Sequence, residues 1–203
     1  MTATPSDGKT DVLFVCTGNI CRSPMAAGFA RSILEARCPD LSIRSAGMLV
    51  SGFPPTREVV EVMARRGLDV GGHRSQRLAV ALARQPDLVV GMARSHVREV
   101  ARQAPWLASH VFTLKELVRL GGETGPRGIG ESLDHYLERV ASRRAEPPTK
   151  TEEDRTGHLV DIVHDVADPI GQAIDVYEGC AAEIEDLVVR LAGLLWPEAT
   201  AAN

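Results

Sequence analysis

One short segment of the sequence places a cysteine, an arginine and a serine at a spacing suited to phosphate chemistry. The segment reads Cys16-Thr17-Gly18-Asn19-Ile20-Cys21-Arg22-Ser23. It lies between a predicted strand and a predicted helix, where the amides of a short loop and the helix dipole favour a bound anion. The same positive field favours a thiolate, and therefore a nucleophile, at Cys16. Because Arg22 offers a planar fork of N–H donors for two phosphoryl oxygens, the segment predicts a phosphate-binding loop.

Other interpretations of this loop fit less well. Gly18 and Asn19 suit the left-handed backbone that a phosphate-binding loop needs. A nucleoside-triphosphate loop requires the lysine of the pattern G-x-x-x-x-G-K-[ST], and the segment contains no lysine. A zinc site on Cys16 and Cys21 requires matching ligands that are missing nearby.

A second cluster of polar residues near the C-terminus raises the alternative of a metal site. Its members are His158, Asp161, His164, Asp165 and Asp168. Spacings of three and four residues put such side chains on one face of a helix, but a solvated acidic face explains the same pattern. We therefore expect no metal and no cofactor.

The elements that must position the loop alternate between strands and helices. Strands are predicted at 10–16, 41–47, 87–92 and 109–114 from short aliphatic runs. Helices are predicted from an N-cap at Ser23 towards Pro39, and at 55–67, 95–103 and 170–195. Such alternation implies a parallel sheet with helices on both faces.

Residues 119–160 do not follow this rhythm. They contain a glycine-rich stretch, a helical stretch that we take to lack a strongly apolar face, and a cluster of prolines and charges. We predict a single domain over residues 1–203 with an insertion at about 119–160. The insertion is either a mobile cover over the site or a surface addition.

Composition narrows the class of protein further. A chain of 203 residues with 44% hydrophobic and 25% charged residues is typical of one globular domain. A net charge of −4 argues against binding of nucleic acid. Residues 57–102 are rich in arginine and 152–186 in acids, which indicates either solvated helix faces or a basic rim that attracts an anion.

The chain also carries features that bear on its compartment. No apolar run approaches the roughly 18 residues of a membrane span, and the first ten residues lack an apolar signal region. Four irregularly spaced cysteines indicate reduced thiols instead of a disulfide framework. We therefore expect a cytoplasmic protein without membrane insertion, and the sequence leaves its oligomeric state open.

Four motifs in order resemble those of the low-molecular-weight protein tyrosine phosphatases. They are CTGNICRSPMA at 16–26, SAG at 45–47, GHRS at 72–75 and ADPIG at 167–171, and the resemblance covers 11–118 and 161–196. It implies a flavodoxin-like fold, with a four-stranded parallel sheet between helices on both faces. The site is then expected at the carboxyl ends of the strands, as is general for such sheets.

The resemblance also implies roles for individual residues. Cys16 resembles the nucleophile that forms a thiophosphate intermediate, Arg22 the phosphate clamp, and Asp168 the general acid, a role that suits an aspartic acid before a rigid proline. Ser23 resembles the hydroxyl that stabilises the thiolate. The residues that resemble the supports of the loop are Asn19, Ser45 and His73. Cys21 resembles the cysteine that traps oxidised Cys16 as a disulfide, although it would serve equally as a small packing residue.

The expected substrate is a phosphorylated protein, most of all phosphotyrosine, because Ile20 resembles the tyrosine-specific members. The positions where the family places aromatic walls hold Met48-Leu49 and Ile170-Gly171, so Leu49 and Ile170 are the predicted pocket residues. This departure leaves phosphoarginine or a small phosphoester open as substrates. A thiol-linked arsenate reductase on the same fold is a further alternative, although it would need additional cysteines. A phosphate-binding module without activity is disfavoured by the complete set Cys16, Arg22 and Asp168.

Overall fold

A four-stranded parallel sheet forms the centre of the protein. The computed structural model describes residues 9–49, 51–144, 151–153, 159–161 and 163–197. The strands are β1 (Thr10–Cys16), β2 (Leu41–Gly47), β3 (Leu88–Gly91) and β4 (Val111–Thr113), in the order β2-β1-β3-β4. All four predicted strands are confirmed, the last two being shorter than predicted.

Seven helices and a short antiparallel ribbon complete the described residues. The helices are α1 (Arg22–Leu34), α2 (Arg57–Ala64), α3 (Leu78–Leu82), α4 (Arg94–Gln103), α5 (Leu114–Thr124), α6 (Leu133–Ala141) and α7 (Ile174–Leu195), with one turn of 3₁₀ helix at Pro105–Leu107. The ribbon pairs β5 (Thr151–Glu153) with β6 (Leu159–Asp161). Within these described ranges, the structure has no helix of sufficient length and hydropathy to cross a membrane.

Two helices were absent from the prediction, each for a local reason. Helix α3 spans five residues, too few to show a helical period. Helix α5 follows β4 with no intervening residue, and a capping box formed by Thr113 and Glu116 starts it. A strand that passes directly into a helix gives no loop signal to separate the two.

The alternation of side chains along β1 divides the apolar core between the two faces of the sheet. Val12 and Phe14 pack with α1, α2, α5, α6 and α7. Leu13 and Val15 pack with α3, α4 and the 3₁₀ turn on the opposite face. Because successive residues of a strand point to opposite faces, a strand buried on both faces reads as a continuous apolar run. The flavodoxin-like arrangement with helices on both faces is thus confirmed.

The start of α1 differs from the prediction that Ser23 is its N-cap. The helix begins at Arg22, and Cys21 stands at the N-cap position without making a side-chain capping bond. Ser23 lies inside the first turn, is fully buried, and its hydroxyl oxygen is 3.0 Å from Cys16 Sγ. The hydroxyl faces the thiol and does not cap the helix, so the first amides of α1 are left for another acceptor.

Helix α6 corrects the prediction for residues 119–160. It buries Leu133, Tyr136, Leu137 and Val140, which recur at the helical spacing of a strongly apolar face. The Tyr136 hydroxyl donates to the Gly125 carbonyl at 3.0 Å. This part of the segment is therefore core, and the expectation of a surface addition is wrong for it.

The position of α6 also bears on the predicted cover. Arg144 donates to the backbone carbonyl of Val111, the first residue of β4, and to Ala108 at 2.8 Å. His110 Nε2 lies 2.6 Å from Asp134 Oδ1. These contacts fasten α6 near the amino end of β4, whereas the phosphate-binding loop follows the carboxyl end of β1. The rest of the predicted cover includes 145–150 and 154–158, which lie outside the described residues.

We expect Leu137→Ala to lower the free energy of unfolding by about 2–5 kcal/mol, because it removes buried methyl groups and leaves a cavity. Ile129→Ala is the matched control in the same segment, since Ile129 is 95% exposed, and should change stability by less than about 0.5 kcal/mol. Urea unfolding followed by circular dichroism measures both. Equal effects of the two substitutions would show that α6 is not part of the core.

Candidate active site

The predicted phosphate-binding loop joins β1 to α1 at the carboxyl end of the sheet. Asn19 has φ of +53°, which is the left-handed conformation predicted for it. Gly18 does not adopt a positive φ, so of the two residues that suit this backbone only Asn19 uses it. Gly47 is needed beside the loop, because a Cβ there would lie 2.8 Å from Asn19 N and from Gly18 C. The loop thus fits closely against the end of β2.

The thiol of Cys16 lies buried at the base of this loop. The backbone N–H of Asn19 donates to Cys16 Sγ at 3.2 Å, and Ser23 Oγ lies 3.0 Å from the same sulfur. Ser23 Oγ accepts a bond from Asn19 Nδ2 at 2.9 Å. Ser23 Oγ also lies 3.4 Å from the Ala46 carbonyl oxygen, a longer contact than the one with the sulfur. The Asn19 amide and the Ser23 hydroxyl are thus the two groups placed to donate to the sulfur of Cys16.

Asn19 connects the loop to its surroundings. Its Nδ2 donates to Ser45 Oγ at 2.9 Å, and its Oδ1 accepts from the backbone N–H of Gln76 at 2.9 Å. Its carbonyl oxygen lies 2.8 Å from His73 Nε2. A carbonyl oxygen only accepts, so His73 carries its proton on Nε2, and burial lowers the pKa of this histidine. The structure thus gathers the predicted supports Ser45 and His73 around Asn19.

Arg22 is buried beside the thiol, with only 5% of its surface exposed. Its two terminal nitrogens donate to the Val166 carbonyl at 2.9 Å, to Thr17 Oγ1 at 3.4 Å and to the Asp168 carboxylate. Its Nε is buried and has no hydrogen-bond partner. A buried N–H without a partner is costly, so an acceptor is expected to reach it when the site is filled.

The Asp168 loop is attached to the site from three sides. The backbone N–H of Val166 donates to the Met92 carbonyl at 2.8 Å, at the end of β3. The thiol of Cys180 on α7 donates to the Ala167 carbonyl at 3.7 Å. The Asp168 side chain itself is 37% exposed. The predicted acid therefore stands at the rim of the site, in contact with Arg22.

Sequence reasoning missed His96, which is buried behind the loop with 1% of its surface exposed. Its Nε2 lies 3.0 Å from Thr17 Oγ1, and its buried Nδ1 has no partner. Burial, reinforced by the charge of Arg22, lowers the pKa of His96 to about 3, so the ring is neutral. An orphaned N–H is rarer than an orphaned acceptor, which places the proton on Nε2, where it donates to Thr17. The sequence did offer a signal for His96, since it follows the end of β3 by about one helical turn, and sites in such folds lie at the carboxyl ends of the strands.

Cys21 lies in the same loop, and its thiol is neutral at physiological pH. Burial raises the pKa of Cys21 to about 12, and its sulfur donates to Thr56 Oγ1 at 3.8 Å. Burial likewise raises the pKa of Cys180 to about 12. Both residues pack in the larger apolar core, and Cys38 is half-buried. The redox role of Cys21 stays a prediction.

Exposed apolar side chains border the site. Leu49 is 54% exposed and Ile170 is 51% exposed, as suits the predicted pocket residues. Phe53, which the sequence analysis did not single out, is 53% exposed. Its loop is fastened to the phosphate-binding loop at both ends, since Met48 N donates to the Thr17 carbonyl at 2.8 Å and Thr56 N donates to the Ile20 carbonyl at 3.1 Å. An aromatic side chain is therefore present on the loop beside the site.

The alternative of a metal site receives no support from the residues whose side chains are described. Among them, no group of three His, Cys, Asp or Glu residues is arranged to hold a metal. Asp165 accepts from the backbone N–H of Arg94 at 2.8 Å, at the start of α4. His158 and the side chain of Asp161 lie outside the described part of the chain.

Comparisons with known proteins show which family the chain resembles. The family model described as low molecular weight phosphotyrosine protein phosphatase matches residues 11–124. The Ralstonia solanacearum protein named probable low molecular weight protein-tyrosine-phosphatase EpsP is 41% identical over 107 residues, covering 52% of this chain and 71% of that relative. The protein-arginine-phosphatase of Bacillus subtilis is 32% identical over 183 residues, covering 90% and 94%.

Solved structures extend the likeness over the whole fold. A low molecular weight protein tyrosine phosphatase from T. tengcongensis superposes with a TM-score of 0.66 at 32% identity, covering 92% of this chain and 100% of that one. A YwlE mutant from Bacillus subtilis gives a TM-score of 0.64 at 30% identity, covering 91% and 97%. The chain belongs to the low molecular weight phosphotyrosine protein phosphatase family, so the family expected from its motifs is confirmed.

We expect His96→Leu to lower kcat/KM for p-nitrophenyl phosphate about two- to tenfold, the worth of one neutral hydrogen bond. His96→Gln should restore most of the loss, because its side-chain amide places a donor near the position of Nε2. Steady-state kinetics and inhibition by inorganic phosphate measure the effect, and thermal unfolding controls for stability. If both variants lose activity equally, or neither does, His96 does not position Thr17.

We expect the disulfide between Cys16 and Cys21 to form about tenfold faster per pH unit between pH 7 and 9. After peroxide converts Cys16 to the sulfenic acid, the Cys21 thiolate attacks its sulfur, the S–O bond breaks, and the departing hydroxide takes a proton from solvent to become water. A thiol with a pKa of about 12 supplies more thiolate as pH rises. Mass spectrometry of alkylated protein, taken after catalase removes the peroxide, follows the bond. Cys38→Ala is the control. A rate independent of pH would contradict this account.

Proposed function

We propose that the protein hydrolyses phosphomonoesters of proteins through a thiophosphate intermediate on Cys16. The observation that carries the proposal is the pairing of two buried groups in one loop. The sulfur of Cys16 lies within hydrogen-bond distance of the Asn19 amide and the Ser23 hydroxyl, and Arg22 keeps a buried Nε without a partner among the described residues. A phosphoryl group bound between them would satisfy the arginine and present phosphorus to the sulfur.

The first chemical step transfers the phosphoryl group to the protein. The thiolate of Cys16 attacks phosphorus, an S–P bond forms, and the P–O bond to the substrate breaks. Asp168 in its acid form gives its proton to the leaving oxygen, which departs as an alcohol or phenol. Arg22 and the loop amides stabilise the charge on the equatorial oxygens in the transition state.

The second step restores the protein. Asp168, now a carboxylate, takes a proton from a water molecule as that water attacks phosphorus. The S–P bond breaks, inorganic phosphate leaves, and Cys16 returns as a thiolate held by Asn19 and Ser23. One aspartate thus serves as acid and then as base, as microscopic reversibility requires of a single group beside the reacting oxygen.

The ion pair between Arg22 and Asp168 must rearrange when substrate binds. In the structure the carboxylate contacts a guanidinium nitrogen that phosphate would also use. A doubly charged phosphoryl group competes for that nitrogen and repels the carboxylate. Asp168 would then face the leaving oxygen while Arg22 keeps its bond to the Val166 carbonyl.

Phosphotyrosine is the substrate that the rim of the site favours. Leu49, Phe53 and Ile170 expose apolar surface beside the loop, and Ile20 is half-buried within it. A phenyl ring gains more from such surface than a guanidinium, whose N–H groups need acceptors. The family model named for phosphotyrosine agrees with this choice.

Phosphoarginine is the second candidate, and one observation favours it. The relatives matched over nearly the whole chain include two named protein-arginine-phosphatase, from Bacillus subtilis at 32% identity and from Geobacillus stearothermophilus at 29%. Asp168 is partly exposed at the rim, and its carboxylate could accept hydrogen bonds from the guanidinium of such a substrate. The two substrates therefore compete as proposals for the same site.

We further infer that the chain acts as one domain in the cytoplasm. A reducing compartment keeps the free thiol that the reaction needs at Cys16. Helices α5 and α6 pack on the same core as α7 and α1, so the described part of residues 119–160 extends the catalytic domain.

We expect purified protein to hydrolyse p-nitrophenyl phosphate in the presence of EDTA, and Cys16→Ser to abolish turnover. Asp168→Asn should slow alkyl phosphates about 10²–10⁴-fold and p-nitrophenyl phosphate far less, because a good leaving group needs little protonation. Cys38→Ala is the matched control for the cysteine variant. Activity that survives Cys16→Ser, or that returns only when zinc is added, would reject the proposed function.

A direct comparison of substrates decides between the two candidates. Peptides of one sequence, carrying either phosphotyrosine or phosphoarginine, should differ in kcat/KM, with phosphotyrosine turned over faster. Phe53→Ala should narrow the difference, since it removes aromatic surface that suits a phenyl ring. Faster release from phosphoarginine in the parent protein would replace the first candidate with the second.

A further inference from the structure

A second basic cavity lies behind the phosphate-binding loop. It is an open groove of about 500 Å³ between α1, β2 and the segment 73–76. Its lining includes the basic residues Arg31, Arg44, His73 and Arg74 and three serines. None of the described residues that line it carries a carboxylate. The groove is therefore polar, positive and large enough for a small anion and part of the molecule that carries it.

Of these three arginines, only Arg31 and Arg74 are not neutralised by an ion pair with a described residue. Arg44 forms an ion pair with Asp11, which neutralises it. Arg31 donates to the Ile43 carbonyl at 3.0 Å and Arg74 to the His73 carbonyl at 2.7 Å, and neither forms an ion pair with any described residue. Glu35 acts on Arg31 through space without reaching ion-pair distance.

The free donors of these two side chains suit an oxyanion. Arg31 uses Nε and one terminal nitrogen on Ile43, which leaves its other terminal nitrogen free. Arg74 uses one terminal nitrogen on backbone carbonyls, which leaves its Nε and its other terminal nitrogen free. A tetrahedral oxyanion accepts several such charge-assisted bonds at once.

The groove shares its walls with the supports of the catalytic loop. Ser45, His73 and Gln76 line it, and each of them bonds to Asn19. A ligand that bridges Arg31 and Arg74 would tie α1 to the segment that carries His73 and Gln76. It would thereby hold the residues that fix the left-handed backbone of Asn19.

We propose that this groove is a second binding site for a phosphate-class oxyanion, and that its occupation steadies the catalytic loop. This second site is separate from the position at Cys16 where the phosphoryl group reacts. Binding there would be an additional property of the protein, beyond the proposed hydrolysis. The oxyanion comes either from a free small molecule or from a second phosphoryl group on the same substrate. Both sources present the same chemistry to Arg31 and Arg74.

Titration of ¹⁵N-labelled protein with inorganic phosphate tests the site without any turnover. Amide signals of residues 44–45 and 73–76 should shift with a dissociation constant of their own. In the double variant Arg31→Ala/Arg74→Ala this affinity should fall at least about tenfold, while signals of the loop at 17–22 still respond. Arg98→Ala, which removes an exposed arginine on the other face, should leave both responses intact.

A reciprocal variant separates this site from the catalytic loop. In Arg22→Met the loop response should be lost and the groove response kept. If the groove signals follow the loop signals in every variant, or do not shift in the parent protein, the groove is not a binding site. Neither result depends on whether the protein is a phosphatase, so failure here is distinct from failure of the proposed function.

Kinetics then distinguish the two sources of the anion. If the anion belongs to the substrate, a doubly phosphorylated peptide should have a KM several-fold below that of its singly phosphorylated form, and the double variant should remove this advantage. If it is a free effector, added sulfate should raise kcat for the singly phosphorylated peptide, which competition at Cys16 alone does not do. Absence of both effects would overturn the coupling to the catalytic loop.

Discussion

The left-handed backbone at Asn19 is the constraint on which the site depends. An L-residue other than glycine pays for this conformation in steric strain, and here bonds from β2 and from the segment 73–76 hold it in place. That conformation brings the Asn19 amide to the sulfur of Cys16 and the Asn19 side chain to Ser23. The absence of a Cβ at Gly47 leaves the space the loop occupies. The conformation of the loop around the thiol is therefore held by residues outside the loop, namely Ser45, Gly47, His73 and Gln76.

Arg22 organises the opposite side of the same site. Its guanidinium is buried, so each of its N–H groups must find an acceptor or remain costly. Val166, Thr17 and Asp168 supply acceptors from the chain, and one buried nitrogen is left for a ligand. The bonds from Arg22 hold the loop that carries Asp168 close to Cys16. On the other side of Thr17, the neutral ring of His96 lies within hydrogen-bond distance of the Thr17 hydroxyl.

The fold supports the site through its two apolar cores. Cys21, within the loop that carries Cys16, and Cys180, which donates to the Ala167 carbonyl beside Asp168, both lie in the larger core. Burial keeps both of these thiols protonated. Helix α6 adds four buried side chains to that core from a segment outside the four recognised motifs. The segment that contains α6 therefore enlarges the larger apolar core, at the end of the sheet away from the phosphate-binding loop.

The sequence by itself determined the strands, the chemistry of the loop and the family, because each of these is encoded by residues close together in the chain. The octet from Cys16 to Ser23 lies at a strand-to-helix junction, and the alternation of apolar runs with helical spacing defined the sheet. The sequence also predicted the helical stretch that forms α6. The spacing of Leu133, Tyr136, Leu137 and Val140 already indicated its apolar face, which the prediction overlooked.

Only the tertiary structure decided which distant residues meet. Arg22 contacts Asp168 across 146 positions and Thr17 contacts His96 across 79, and no local period encodes either distance. Both Gly18 and Asn19 suit a left-handed backbone, and the structure uses it at Asn19, where neighbouring segments supply the hydrogen bonds that compensate for the strain. The basic groove arises in the same way, since Arg31 and Arg74 belong to separate elements. Local spacing encodes elements, whereas the partners of a buried polar group are set by which elements pack together.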